Sequence, residues 1–186
     1  RGLIANVGLR FDWFKSNWYV PKDPSHPIPD TLPEGGEIAD KVPAKPKYKI
    51  SPRLGISFPI TERDVLHFSY GHYFQMPPMY YLYRNPYYKF TGAFPIVGNA
   101  DLDAERTTAF EVGVEHGFGE YAAVDVTAFY KDITGLLDTK RYFYTAANYY
   151  TMMTNADYAT SRGFEFSFRK RTGGPLPYFT MNLNYT

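Results

Sequence analysis

Glu111 and Glu115 are the first residues to weigh for chemistry, because they are two carboxylates on one face of a run that alternates with a period of two. A paired-carboxylate hydrolase holds its acids about 5–9.5 Å apart. Four residues of strand separate these two by about 13 Å at about 3.3 Å per residue, so they read as charges on a polar face. Asp101, Asp103 and Glu105 offer oxygens at alternate positions, but their loop lacks the glycine and the twelfth-position Glu of an EF-hand and reads as an acidic turn. His67 and His72 are an odd number of residues apart and fall on opposite strand faces, while His26 and His116 are remote, so the histidines form no metal set. No nucleophile elbow or glycine-rich phosphate loop gathers the Ser, His and Asp residues present. The reading is of a protein that is not an enzyme, with no catalytic centre, no metal and no cofactor.

Binding is the remaining chemistry, and its candidates are loop aromatics. Tyr80, Tyr81, Tyr83, Tyr87 and Tyr88 crowd one loop around Arg84, and Tyr142, Tyr144, Tyr149 and Tyr150 crowd another. Tyrosine rings stack on sugars, siderophores or peptides, and Arg84 suits an anionic ligand. The competing assignment is to an interfacial aromatic girdle and to packing inside the loops.

Strands must position these loops. Residues 1–14 set Leu3, Ala5, Val7, Leu9, Phe11 and Trp13 against Asn6, Gly8, Arg10 and Asp12. The same two-faced alternation recurs over 50–58, 65–74, 107–116, 122–131, 163–169 and 179–185. Between them the expected connections alternate in length. Residues 15–49, 75–106 and 132–160 are predicted as long loops, and 59–64, 117–120 and 170–177 as tight turns. Seven prolines fall in 15–49 alone, with Gly35-Gly36. In an antiparallel meander this sorting puts every long loop on one rim. Strands of this length match the roughly 9–11 residues that cross a bilayer, and the predicted polar lining includes Arg10, Arg53, Glu111, Glu115, Asp125, Lys131, Glu165 and Arg169.

Composition agrees with an all-β chain. Eighteen Tyr and fifteen Phe favour strands, while fifteen Pro and fifteen Gly favour turns over helix. A formal net charge of +1 with interspersed signs gives no case for nucleic acid. No cysteine removes disulfides and thiolate chemistry without fixing the compartment. No apolar run approaches a membrane helix and mean hydropathy is −0.40, a test to which a β-barrel is invisible.

Gly98-Asn99-Ala100-Asp101-Leu102-Asp103-Ala104-Glu105, followed by Phe110-Glu111-Val112-Gly113, resembles the Gly-Asn-Pro-x-Leu-x-Pro-Glu signature and following strand of TonB-dependent outer-membrane receptors, of the Oar-like type that carries a carboxypeptidase-regulatory domain. Ala100 and Ala104 stand where that pattern has prolines. Leu9-Arg10-Phe11-Asp12, Ser51-Pro52-Arg53-Leu54-Gly55, the run from Phe68 to Pro77, Ala128-Phe129-Tyr130-Lys131-Asp132-Ile133 and Arg162-Gly163-Phe164-Glu165 are similar to further barrel segments, in the family's order. The resemblance implies about seven antiparallel strands of a large transmembrane β-barrel in the outer membrane of a Gram-negative bacterium. It also implies lipid around the wall, an extracellular ligand (siderophore, glycan or peptide) at the loops, and import driven by TonB. TonB would act only through an N-terminal plug, which residues 1–186 lack along with the remaining strands. The chain opens on Arg1 inside a strand-like pattern, without a leader, and reads as a piece of a longer protein. Two other readings stand beside it: a soluble all-β carbohydrate-binding sandwich, and a passive outer-membrane porin.

Overall fold

The alternating runs become one antiparallel sheet. A computed structural model describes residues 2–27, 40–90 and 95–186. Its elements are β1 (Ile4–Phe14), β2 (Tyr19–Pro21), β3 (Lys41–Pro43), β4 (Lys47–Pro59), β5 (Asp64–Gln75), α1 (Met79–Tyr83), β6 (Ile96–Val97), β7 (Glu105–Phe118), β8 (Ala122–Phe143), β9 (Tyr149–Lys170) and β10 (Met181–Tyr185). The wall runs in the order β1-β4-β5-β7-β8-β9-β10, so each wall strand pairs with the next one along the chain, as in an up-and-down meander. β6 adds to β9 in parallel, and β2 and β3 form a separate two-stranded ribbon.

Register sorts the two faces. Val7, Leu54, Tyr70, Phe110 and Tyr130 lie level across five strands, as do Ile56, Phe68, Val112, Ala128 and Phe164. The opposite face carries Arg53, Glu111, Asp125 and Glu165 among small residues, and its polar groups bond one another. His67 Nε2 lies 2.7 Å from an Asp125 carboxylate oxygen, Thr127 donates to Asp125 and Ser69 donates to Glu111. Arg169 pairs with Glu115. No second layer covers the apolar face among the described residues: Val7 is 82% exposed, Phe164 71% and Val112 48%. A sandwich would bury these side chains in a core.

Three expectations about the connections are corrected. Residues 132–160 are not a loop, because β8 and β9 continue as a paired hairpin of 22 residues each that turns only between Phe143 and Tyr149. Alternation does not show this, for two reasons. A bulge at Gly135, with φ +74°, shifts the register between Thr134 and Leu137. Beyond it, Met152 and Met153 are both buried although neighbours on a strand face opposite ways, so the pattern has no polar side to alternate with. The connection 75–106 likewise holds α1 and β6, and 15–49 holds β2 and β3. The part of the first predicted loop over 28–39, with Gly35-Gly36, and residues 91–94 of the second lie outside the described residues. The turns after β4 and β7 are short as expected, whereas the connection after β9 runs ten residues, 171–180, and β10 begins at Met181 rather than at Phe179. In the β4–β5 turn, the Thr61 hydroxyl accepts from the amides of Arg63 and Asp64.

Candidate ligand-binding rim

The long connections meet at one rim, and aromatic side chains hold them together. Tyr88, Val97, Tyr150 and Met152 form a buried cluster with Phe90, Tyr142 and Tyr144 packed against it. Phe90 stacks on Tyr144 and Tyr150 at centroid distances of 4.7 and 5.0 Å, and Tyr142 stacks on Tyr150 at 5.6 Å. The Tyr150 hydroxyl donates to the Pro24 carbonyl at 2.6 Å, which ties in the first loop. Burial pushes the Tyr88 and Tyr150 hydroxyls far above the ordinary tyrosine range, and the neighbouring Tyr142 adds to the effect on both.

A second cluster lies against Met153, which faces away from Met152 on β9. Leu82 of α1, Leu102 and Met153 are buried there, with Tyr81, Tyr83, Phe14 and Leu137 around them. Tyr83 donates its hydroxyl to the Ser16 carbonyl at 2.6 Å. The connection from β5 to β7 therefore packs on both faces of the β8–β9 hairpin.

The acidic turn fixes that clasp. Gly98 runs so close to α1 that an added Cβ would sit 2.6 Å from the Tyr81 carbonyl and 2.7 Å from the Arg84 nitrogen. The Asn99 side chain donates to the Met153 carbonyl and accepts from the Asp101 amide. Asp101 accepts from the Lys45 amide and pairs with Lys47 at 3.0 Å; Lys47 also reaches Asp103 at 3.5 Å. Asn155 bridges the Asp103 backbone and the Gly135 carbonyl. The carboxylates of this turn are engaged with the first loop, and no group of three or more His, Cys, Asp or Glu among the described residues is placed to hold a metal.

The candidate residues thus separate. Tyr88, Tyr142, Tyr144 and Tyr150 come together inside one cluster, and Tyr81 and Tyr83 inside the other. Tyr80 and Tyr87 stand outside, 57% and 51% exposed. Arg84 lies over the Tyr80 ring at 5.1 Å, Trp18 packs edge-on to Tyr87 at 5.8 Å, and Arg141 lies over Tyr149 at 4.3 Å near the hairpin tip. Sequence reasoning alone does not single out Trp18, Lys47 or Asn155. Asn99 and Asp101 carry a turn signal, but nothing local marks the long-range partners of the other three.

The family model described as TonB dependent receptor-like, beta-barrel matches residues 2–186. The chain belongs to the TonB-dependent receptor β-barrel family. That family comprises outer-membrane transport receptors of Gram-negative bacteria rather than enzymes. No curated protein sequence matches the chain. Among solved structures it is similar to the FrpB iron transporter from Neisseria meningitidis, with a TM-score of 0.56 and 19% identity over 92% of this chain and 22% of that one. It is similar to a mutant ferric enterobactin receptor from Pseudomonas aeruginosa in complex with enterobactin, with a TM-score of 0.56 and 22% identity over 74% of this chain and 22% of that one. A hemophore receptor from Serratia marcescens, in complex with its hemophore and heme, gives a TM-score of 0.52 at 14% identity over 91% of this chain and 28% of that one. At these identities the likeness is one of fold. This TonB-dependent receptor chain spans about a quarter of the length of those structures.

Proposed function

We propose that this chain forms part of the wall and outer loops of a TonB-dependent importer, with its rim capturing an extracellular ligand at the cell surface. The observation that carries the reading is the uncovered apolar face of a meander whose long connections all lie on one rim, in a chain of this family. In this reading Tyr80, Arg84 and Tyr87, with Trp18, meet the ligand, and Tyr149 on Arg141 flanks it at the hairpin tip. Tyr81, Tyr83, Tyr88, Tyr142, Tyr144 and Tyr150 brace the loops from within. Exposed rings beside a guanidinium suit a ligand with flat or apolar faces and a negative charge. An iron chelate is the first such class to try, since the similar structures are named for iron, ferric enterobactin and heme; glycans and peptides follow.

The test uses the full-length receptor that carries this chain, expressed in a Gram-negative host. Recovery in the outer-membrane fraction, with mobility in SDS that changes on boiling, is expected of a folded barrel. A product without the shift, in the soluble fraction, would overturn the reading. Binding of ferric siderophores, oligosaccharides and peptides is then compared in Tyr80→Ala, Arg84→Ala and Tyr87→Ala. A roughly tenfold loss for one ligand class is expected; unchanged binding in all three would remove these residues from the site.

A further inference from the structure

The wall has a seam between β4 and β5. These strands pair from Arg53 opposite Gly71 to Pro59 opposite Val65. Toward the loop rim, β4 continues to Lys47 on β1, and β5 continues to Gln75 on β7, without pairing each other. Strands that keep their outer partners and lose each other splay apart. Pro52 stands at the foot of the split, where a residue without a backbone N–H suits the end of a ladder. Its neighbour Ser51 is fully buried, with a hydroxyl that has no partner among the described residues.

A cavity of about 130 Å³ opens in this region, lined by Asp12, Trp13, Lys47, Lys49, Phe74 and Met76 among others. Trp13 lies on the apolar face, while Asp12 and Lys49 face each other across β1 and β4 on the polar one. Lys49 of β4 and Phe74 of β5 both line the cavity, which places it at the seam.

Charge and size narrow the occupant. Lys47 is held by Asp101 and Asp103, and Asp12 by Arg10. Lys49 is half-buried, its ammonium 5.9 Å from the centroid of the Phe74 ring, and makes no ion pair with a carboxylate among the described residues. A cation withdrawn from water and left without a carboxylate favours an anion beside it. The volume is below the roughly 300–1,000 Å³ of pockets for drug-sized ligands, and suits one phosphate group of a lipid whose remainder stays outside. The apolar face leading to the seam, with Phe11, Trp13, Tyr48 and Ile50 all more than half exposed, suits acyl chains.

We infer that the seam binds an outer-leaflet lipid, its phosphate beside Lys49 and its acyl chains along Trp13, Ile50 and Phe74. The inference rests on the reading of this sheet as barrel wall. The full-length receptor, delipidated in detergent, is titrated with bisphosphorylated lipid A, with the same lipid after dephosphorylation, and with inorganic phosphate, bound copies being counted by native mass spectrometry. The phosphorylated lipid is expected to bind at least about tenfold tighter than either control, Lys49→Met to lose about that factor, and Lys49→Arg to recover it. Equal binding of the two lipids, binding of inorganic phosphate as tight as lipid, or wild-type affinity in Lys49→Met would each overturn it. If Lys49→Met does not fold, Lys49→Gln, which keeps a polar end and removes the charge, is read in its place. Mobility on boiling reads the barrel separately, so a receptor without the shift fails the wall reading and not merely the lipid site.

Discussion

At the scale of single residues, most of the rim tyrosines are packed inside the two clusters. Tyr150 illustrates this: it is fully buried, stacked on Phe90 and Tyr142, and bonded to the Pro24 carbonyl of the first loop. Tyr150→Phe keeps the stack and removes the bond, so it should cost about 1 kcal/mol and speed proteolysis of the first loop while leaving the wall intact. Burial also sets a pH window. Tyr88 and Tyr150 have raised pKa values when folded, so the neutral hydroxyls are favoured by the cluster. Their stabilisation is complete below the unfolded value of about 10 and is lost as pH climbs beyond it. A tyrosinate absorbance titration of the folded receptor should show exposed tyrosines ionising first, with a late phase that coincides with opening of the loops. Gly98→Ala would drive a methyl into backbone of α1, where nothing flexible can yield. It should cost roughly 1–3 kcal/mol, seen as cleavage between α1 and β7.

At the scale of elements, the two-faced wall strands were legible in sequence and the loop architecture was not. Leu9, Phe11 and Trp13 alternate with Arg10 and Asp12 because one face meets apolar surroundings and the other does not, and that contrast is written locally. The extended hairpin has no such contrast. Its partners, Leu82, Val97 and Leu102, come from a distant connection that covers both of its faces, so its identity as strand is a tertiary effect. The tyrosine clusters were visible as a composition, but which rings would be interior depended on where Tyr88, Phe90 and Val97 meet the hairpin. Gly135 can be tested alone. Its positive φ at the bulge disfavours a β-branched side chain, so Gly135→Val should cost about 1–3 kcal/mol. Proteolysis should then cut within 136–157, while the mobility change on boiling persists.

At the scale of the molecule, neighbouring residues in sequence lie on unlike faces of the wall. Val112→Arg puts a charge on the apolar face and should cost about 2–4 kcal/mol for refolding into lipid vesicles if it lies near the bilayer midplane. Glu111→Ala, on the other face, loses the bond from Ser69 and should cost about 1 kcal/mol. Similar costs for the two would contradict a wall with lipid on one side. The sorting of faces also fixes an angle. Along the hydrogen-bonded row from Val7 through Leu54, Tyr70, Phe110 and Tyr130 to Arg162, the upper limit of the apolar surface does not stay level. On β1 the apolar run is unbroken to Trp13, about six residues beyond the row, whereas on β9 the unbroken run ends at Phe164, about two residues short of it, and Arg162 and Thr160 separate it from Tyr158. That drift of roughly 26 Å accrues over about 24 Å of sheet width, at about 3.3 Å per residue and 4.8 Å per strand. A hydrocarbon boundary can be horizontal across such a sheet only if the strands lean about 45° from the membrane normal. Polarised infrared spectra of the receptor in oriented bilayers should show that inclination, which the side-chain pattern encodes without reference to the closed barrel.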